Sequence, residues 1–352
     1  MKTILPITLF IFTGIATALF IGFDLGNTSE TIAQDDEQEG IKENVVINFS
    51  HVVAENTPKG KAARKFADLV EERTNGKVSV KIFSNGSLYN DQNEYQALKD
   101  GRVQMIAPAT SKLTTHFPEW QVLDLPFAFP SHEAVWEAFQ GEIGTTLLDD
   151  LHNTEIKGLD LWYNGFKQIT TNEKAILSPS DFNRKHFRIM PSPAIEEMYN
   201  TLEASTSTFP FNKTYKNLEV DFIDGQENTI SNIYTKKLYK EQSSLTLSNH
   251  GYLGYAVLIN REFWNNLSSE VQQVIKETLT ETTDWVRRHS IEINDSYKRK
   301  LALNSNLDIH YLTNQEEQAW KEAIQPVYEE VESKVGQDLM NEVYRLKEKY
   351  EQ

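Results

Sequence analysis

The sequence predicts an α/β protein built as two lobes with a cleft between them. Three observations carry this. The 352 residues exceed what one hydrophobic core usually organises. A strand–helix–strand rhythm runs through the first third and starts again after Gly158. From Ser268 to Asn304 a helical pattern persists for more than 30 residues, too long for one compact lobe, so this helix is expected to bridge both.

The elements follow in order. VVINFSHVV from Val45 is a β-branched run that reads as a buried strand. Thr57-Pro58 is a helix-start signal, and the amphipathic stretch that follows ends at Gly76. KVSVKIFSNGSL alternates with period two, Asn90 to Asp100 reads as a helix, and VQMIAPAT as a third strand. After Gly158, LDLWYNGF reads as a strand, followed by ITTN. SPSDFNRKHFRIM gives a helix start and then a strand, and AIEEMYNTLEA a helix. YKNLEVDFIDGQENTISNIYTKK runs helix, short strand, helix, and GYLGYAVLIN is strand-like again. A last helix after the bridging one carries a break at Pro326.

Residues 1–23 are almost continuously apolar behind Lys2, the pattern of a secretory signal or an uncleaved anchor. Ala16-Thr17-Ala18 offers a cleavage site, but the apolar run continues through Leu19, Phe20 and Ile21, which favours retention. The expected organisation is therefore a signal or anchor over 1–27 and a polar tether over 28–44. Lobe I then takes 45–164 with 251–290, and lobe II takes 165–250 with 291–346. The body is expected outside the cytoplasm, tethered to the outer face of the membrane, or else secreted or periplasmic.

Composition narrows the function. The formal charge is −16, with no basic stripe, which argues against nucleic acid as a partner. With no cysteine there are no disulfides, thiolate metal sites or cysteine nucleophiles. The eight histidines show no zinc spacing, and neither GxSxG nor a strand-following GxGxxG occurs. An enzyme, a metal site and a cofactor are accordingly not expected. The global acidity opposes anion capture, so any anion site must be built from a few local cations.

In α/β folds, ligand sites gather at the C-terminal ends of strands. That rule selects His51 to Lys59, Thr110 to Lys112, Asn164 to Lys167, Arg188, Asn228 and His250. Arg188 is the sharpest of these. It lies in the apolar run Phe187-Arg188-Ile189-Met190, where a guanidinium needs an anionic partner, and its planar fork suits a carboxylate.

Five segments, FSHVVAENTPKGKAA, NGFKQITTN, HFRIM, DGQENTISNIY and LSNHGYLGYAV, occur in the order seen in the solute-binding component of TRAP (tripartite ATP-independent periplasmic) transporters. From about Val45 to Leu346 the chain resembles that family, and within it the C4-dicarboxylate-binding subgroup. The resemblance implies a two-lobe fold of the periplasmic-binding-protein type that closes on its ligand. It also implies that Arg188 grips a ligand carboxylate in a paired contact. Lys167 would stand as a second cation where many relatives carry Arg, and Asn228 would offer a ligand-facing amide. Lys59 and His250 would also line the cleft.

Each role has a plainer alternative. Arg188 could pair with a protein carboxylate, and Lys167 could be a solvated surface lysine. Asn228 could be a helix cap, Lys59 part of a solvated helix face, and His250 a satisfied hinge histidine. His51, Thr110, Ser111 and Lys112 rest on strand-end position alone. Two cations at opposite ends of a four-carbon diacid would favour succinate, fumarate or malate. A monocarboxylate would leave one cation unpaired, at about 1–3 kcal/mol. The partners expected are therefore a small dicarboxylate or another organic acid, and a membrane permease or a sensor kinase, with the protein a monomer.

Overall fold

A computed structural model describes residues 44–351, so the apolar N-terminal segment and all of the tether but Asn44 lie outside the described residues. No helix among the described residues is long and apolar enough to cross a membrane.

The first lobe starts with β1 (Val45–Ser50), α1 (Pro58–Arg73) and β2 (Val78–Phe83). It continues through α2 (Glu94–Lys99), β3 (Met105–Ile106), α3 (His132–Gln140) and α4 (Glu142–Asp149). Thr57 caps α1 by accepting from the Gly60 amide at 3.2 Å, with Pro58 opening the helix as its sequence signals. Gly60 is needed there: a Cβ would lie 2.4 Å from the Ala54 carbonyl oxygen of the preceding turn. The expected third strand shrinks to two residues, because from Pro108 the chain turns away into the 3₁₀ turn Thr110–Lys112.

Next comes β4 (Ile156–Thr171), a continuous 16-residue strand where the sequence reads as a strand and a separate ITTN. The second lobe adds β5 (His186–Arg188), α5 (Pro193–Thr201), β6 (Ser205–Ser207), α6 (Thr214–Glu219), β7 (Gly225–Thr229), α7 (Ile230–Thr235) and β8 (Ser244–Leu247). The chain returns through β9 (Tyr252–Asn260), α8 (Arg261–Asn266) and α9 (Ser269–Asn304), then β10 (Asp308–Tyr311). It ends in α10 (Asn314–Ala323), α11 (Gln325–Val335) and α12 (Gln337–Tyr350).

The sheet is mixed, in the order β2-β1-β3-β9-β4-β7-β5-β6, with β8 on β4 and β10 on β8. Its two halves are joined by β4. Up to Phe166 this strand pairs antiparallel with β9; from Lys167 it pairs with β7, and from Ile169 also with β8. One strand thus runs through both lobes and changes partners between Phe166 and Lys167. Gly225 fits β7 against it, since a Cβ there would stand 2.4 Å from the Thr170 carbonyl oxygen.

Helix α9 has 36 residues, about 54 Å at the usual rise. In lobe I its Glu281 pairs with Lys65 at 2.8 Å and with Arg73. In lobe II its Asn294 accepts from the Ser231 amide at 2.8 Å, and Tyr297 and Leu301 pack with Ile230, Ile233 and Leu245. The bridging helix expected from length is present.

The C-terminal segment holds three helices rather than one broken at Pro326. Pro326 sits in the first turn of α11, and a further break falls at Gly336, whose φ of 84° a helix does not allow. These helices, grouped with lobe II from the sequence, touch both lobes. Helix α11 packs on α5 and Tyr328 donates to the Pro126 carbonyl at 2.7 Å. Helix α12 buries Leu339, Met340, Val343 and Leu346 and packs on α3 and α4.

Candidate functional site

A small cavity of about 30 Å³ lies between the lobes. From lobe I it is lined by Lys59, Asp91, Lys112 and Tyr255, and from lobe II by Arg188, Asn228, Phe211 and Asn232, among others. Arg188 is the last residue of β5 and Asn228 the fourth of β7, two neighbouring strands that aim both side chains into the same space.

Arg188 is 2% exposed, and its contacts leave it underused. Nη2 donates to the Phe209 carbonyl at a long 3.4 Å, and among the described residues the nearest carboxylate oxygen is that of Asp91 at 3.9 Å and buried Nε has no partner. The guanidinium sits 5.6 Å from the Phe211 ring centre. A buried fork with spare donors in a cavity wall is chemically an anion receptor.

Lys59 enters from the first turn of α1 and is fully buried. It donates to the Ala107 carbonyl at 2.7 Å and lies 3.8 Å from the Tyr255 ring centre. Burial pulls its pKa down to about 8, with Glu94 and Asp91 acting against that. Lys112, on the 3₁₀ turn after β3, pairs with Asp91 at 2.7 Å. Among the described residues the charged groups lining the cavity are thus three cations and one carboxylate, leaving two positive charges unbalanced.

Lys167 and His250 are placed elsewhere, and neither lines this cavity. Lys167 is not at a strand end but inside β4, where its Nζ meets Glu227 Oε1 at 3.0 Å and Asp124 Oδ1 at 3.7 Å. His250 shares the same carboxylate, with Nε2 2.9 Å from Glu227 Oε2 and Nδ1 2.7 Å from the Ser248 hydroxyl. Burial works against the Glu227 charge, yet Lys167 and His250 outweigh it and hold the pKa at about 2. The second cation expected from NGFK is therefore spent on a protein carboxylate sixty positions away, and Lys59 and Lys112 stand in the cavity instead.

The remaining candidates divide. Ser111 donates to Asp124 at 2.6 Å, which ties it to the Lys167–Glu227 cluster. Among the described residues the buried Thr110 hydroxyl has no partner, and neither has either ring nitrogen of buried His51. Burial, and then Lys59, pulls the His51 pKa down to about 3, so this ring is neutral and supplies no charge. Asn228 Oδ1 accepts from Asn232 Nδ2 at 2.7 Å and from the Thr229 amide at 3.1 Å, which fixes its side chain at the cavity wall.

Sequence reasoning missed Asp91, Tyr255, Phe211 and Asn232. Asp91 and Glu94 stand around a helix start, where acids ordinarily serve as caps, and nothing in NDQNE announces that both are buried. Tyr255 could have been found: it is a polar-tipped ring in the otherwise apolar GYAVLI, and its hydroxyl accepts from Asn164 at 2.8 Å.

Residues 49–334 match the model of the bacterial extracellular solute-binding protein family 7. The chain is 46% identical to the C4-dicarboxylate-binding protein DctB of Bacillus subtilis, over 99% of both chains. It is 37% identical to the C4-dicarboxylate-binding periplasmic protein DctP of Rhodobacter capsulatus, over 91% of this chain and 96% of that one. Among solved structures it resembles a TRAP periplasmic solute-binding protein from Shewanella oneidensis with bound succinate. That match has a TM-score of 0.84 and 38% identity, over 86% of this chain and 99% of that one.

Proposed function

The chain belongs to the bacterial extracellular solute-binding protein family 7, the solute-binding proteins of TRAP transporters, and we propose that it captures a C4-dicarboxylate such as succinate, fumarate or malate. The observation that carries this is the charge of the cavity: among the described residues lining it, Arg188, Lys112 and Lys59 stand against Asp91 alone. A dianion balances that set, whereas a monoanion leaves one buried cation unpaired. The names of the relatives, which bind C4-dicarboxylates and in one structure succinate, support the same class.

In this reading Arg188 takes one carboxylate through its free donors, beside Lys112, and Lys59 takes the other. Asn228 and Asn232 offer amides to the ligand carboxylates, and Phe211, Leu253 and Tyr255 exclude water from the carbon chain between them. The lobes, joined through β4, the 248–251 segment before β9, and α9, would close on the ligand; we place the lobe boundary where β4 changes partners, at Phe166 and Lys167. The chemistry is capture without turnover, and the acid recovered after denaturation should be the acid supplied.

The test is thermal unfolding against a panel of acids. Ligand at 100 times Kd should stabilise the protein by about 2.7 kcal/mol. If succinate, fumarate and malate all leave the melting point unmoved while another organic acid raises it, the subgroup is wrong. We also read the protein as tethered outside the cytoplasmic membrane and as a monomer that delivers ligand to a permease, with a sensor kinase as the alternative partner. Deletion that abolishes dicarboxylate uptake supports delivery; deletion that abolishes only ligand-induced transcription supports sensing.

A further inference from the structure

Asp91 is the one carboxylate among the described residues lining the cavity, and it is made of contacts to both lobes. It lies between β2 and α2 in lobe I, with its side chain 5% exposed. Oδ2 stands 2.7 Å from Lys112 Nζ and 3.9 Å from Arg188 Nη2. Oδ1 accepts from the amide of Phe211, in lobe II, at 3.0 Å. The two cations beside it, with the Phe211 amide, keep it ionised against the cost of burial.

A carboxylate is an expensive thing to bury in an anion receptor. It stands beside the two cations that face the ligand, and it repels whatever anion they attract. A closing contact to Phe211 alone would need only a neutral acceptor. The charge therefore calls for its own explanation.

We propose that Asp91 is a selectivity residue that sets the charge capacity of the cavity at two, acting as an internal counter-anion to Lys112 and Arg188. The inference rests on the dicarboxylate reading above. With Asp91 ionised, three cations become two net charges, which a dianion neutralises; a monoanion leaves an excess cation and a trianion an excess anion, both desolvated. Without its charge the optimum moves one unit up. Removing Asp91 should then favour every anionic ligand, and favour it more the more negative the ligand is.

The experiment compares succinate with succinamate, its near-isosteric monoamide carrying one carboxylate, by calorimetry at a pH where their carboxyls are ionised. The variants are Asp91→Asn, which keeps an oxygen for the Phe211 amide, and Asp91→Ser as a second, smaller neutral side chain, each checked for cooperative unfolding. The expected result is a gain in succinate affinity on neutralisation that exceeds the gain for succinamate by about fivefold or more. An equal factor for both ligands, or an equal loss for both, overturns the proposal and leaves Asp91 as a closing contact only. Failure of the wild type to bind succinate would instead sink the dicarboxylate reading, so the two failures are distinct.

Discussion

Lys167 Nζ stands 3.0 Å from Glu227 Oε1, and both side chains are at most 2% exposed, so the two charges face each other inside the protein. His250 on the other Glu227 oxygen completes a buried cluster at the point where β4 passes between lobes.

Breaking that pair should therefore cost stability before affinity. Lys167→Ala or Glu227→Ala leaves an uncompensated buried charge, and a loss of about 3–5 kcal/mol is expected in denaturant unfolding. The Kd for succinate of the folded fraction should change less than tenfold. A stable Lys167→Ala protein with abolished binding would return Lys167 to the ligand.

How much of this was legible follows from how local each signal is. The placement of Arg188 in the cavity wall is legible because a guanidinium among Phe187, Ile189 and Met190 is anomalous within five residues. The cap at Thr57-Pro58 and the 36-residue bridge are equally local. The fate of Lys167 was not legible, because its partner is sixty residues on and reaches it only through the antiparallel register of β4 and β7. Asp91 was hidden for the same reason: the Phe211 amide and Arg188 that explain its burial belong to the other lobe. The break at Gly336 could have been read, since a glycine in a helical pattern is a stop signal.

Affinity should fall as pH rises above about 8. Burial lowers the Lys59 pKa from 10.5 to about 8, so the free protein loses this cation from pH 8 upward while bound carboxylate would keep it charged. Burial raises Glu94, a neighbour in charge of Lys59, to about 8 as well, and its ionisation adds negative charge over the same interval. Both changes weaken anion binding, up to about tenfold per pH unit for each proton taken up. The sign for stability is opposite for Lys59: the cost of burying its charge is fully present below pH 8 and is relieved between 8 and 10.5. Calorimetry from pH 6.5 to 9.5 checks the affinity profile, and a flat one removes Lys59 from the site.

Lys59→Met should separate the two ends of the ligand. Losing this cation is expected to weaken succinate by about 2–5 kcal/mol and succinamate by clearly less, since only the diacid must seat a second carboxylate. Equal losses would mean that Lys59 holds the site's shape and not a carboxylate.

Gly225→Ala tests the fit of β7 on β4. A methyl group there meets the Thr170 carbonyl and the Phe187 ring, and overpacking of about 1–3 kcal/mol is expected in the unfolding free energy. An unchanged protein would show that the two strands can part without loss.

The central claim is that Arg188 is the anion-gripping residue of a dicarboxylate receptor. Calorimetry of succinate on the wild type and on Arg188→Ala tests it most directly, with cooperative unfolding of the variant as the control. The expected result is submillimolar or tighter binding by the wild type and a loss of at least about 2 kcal/mol on truncation. A folded Arg188→Ala protein that binds succinate as the wild type does would contradict the account.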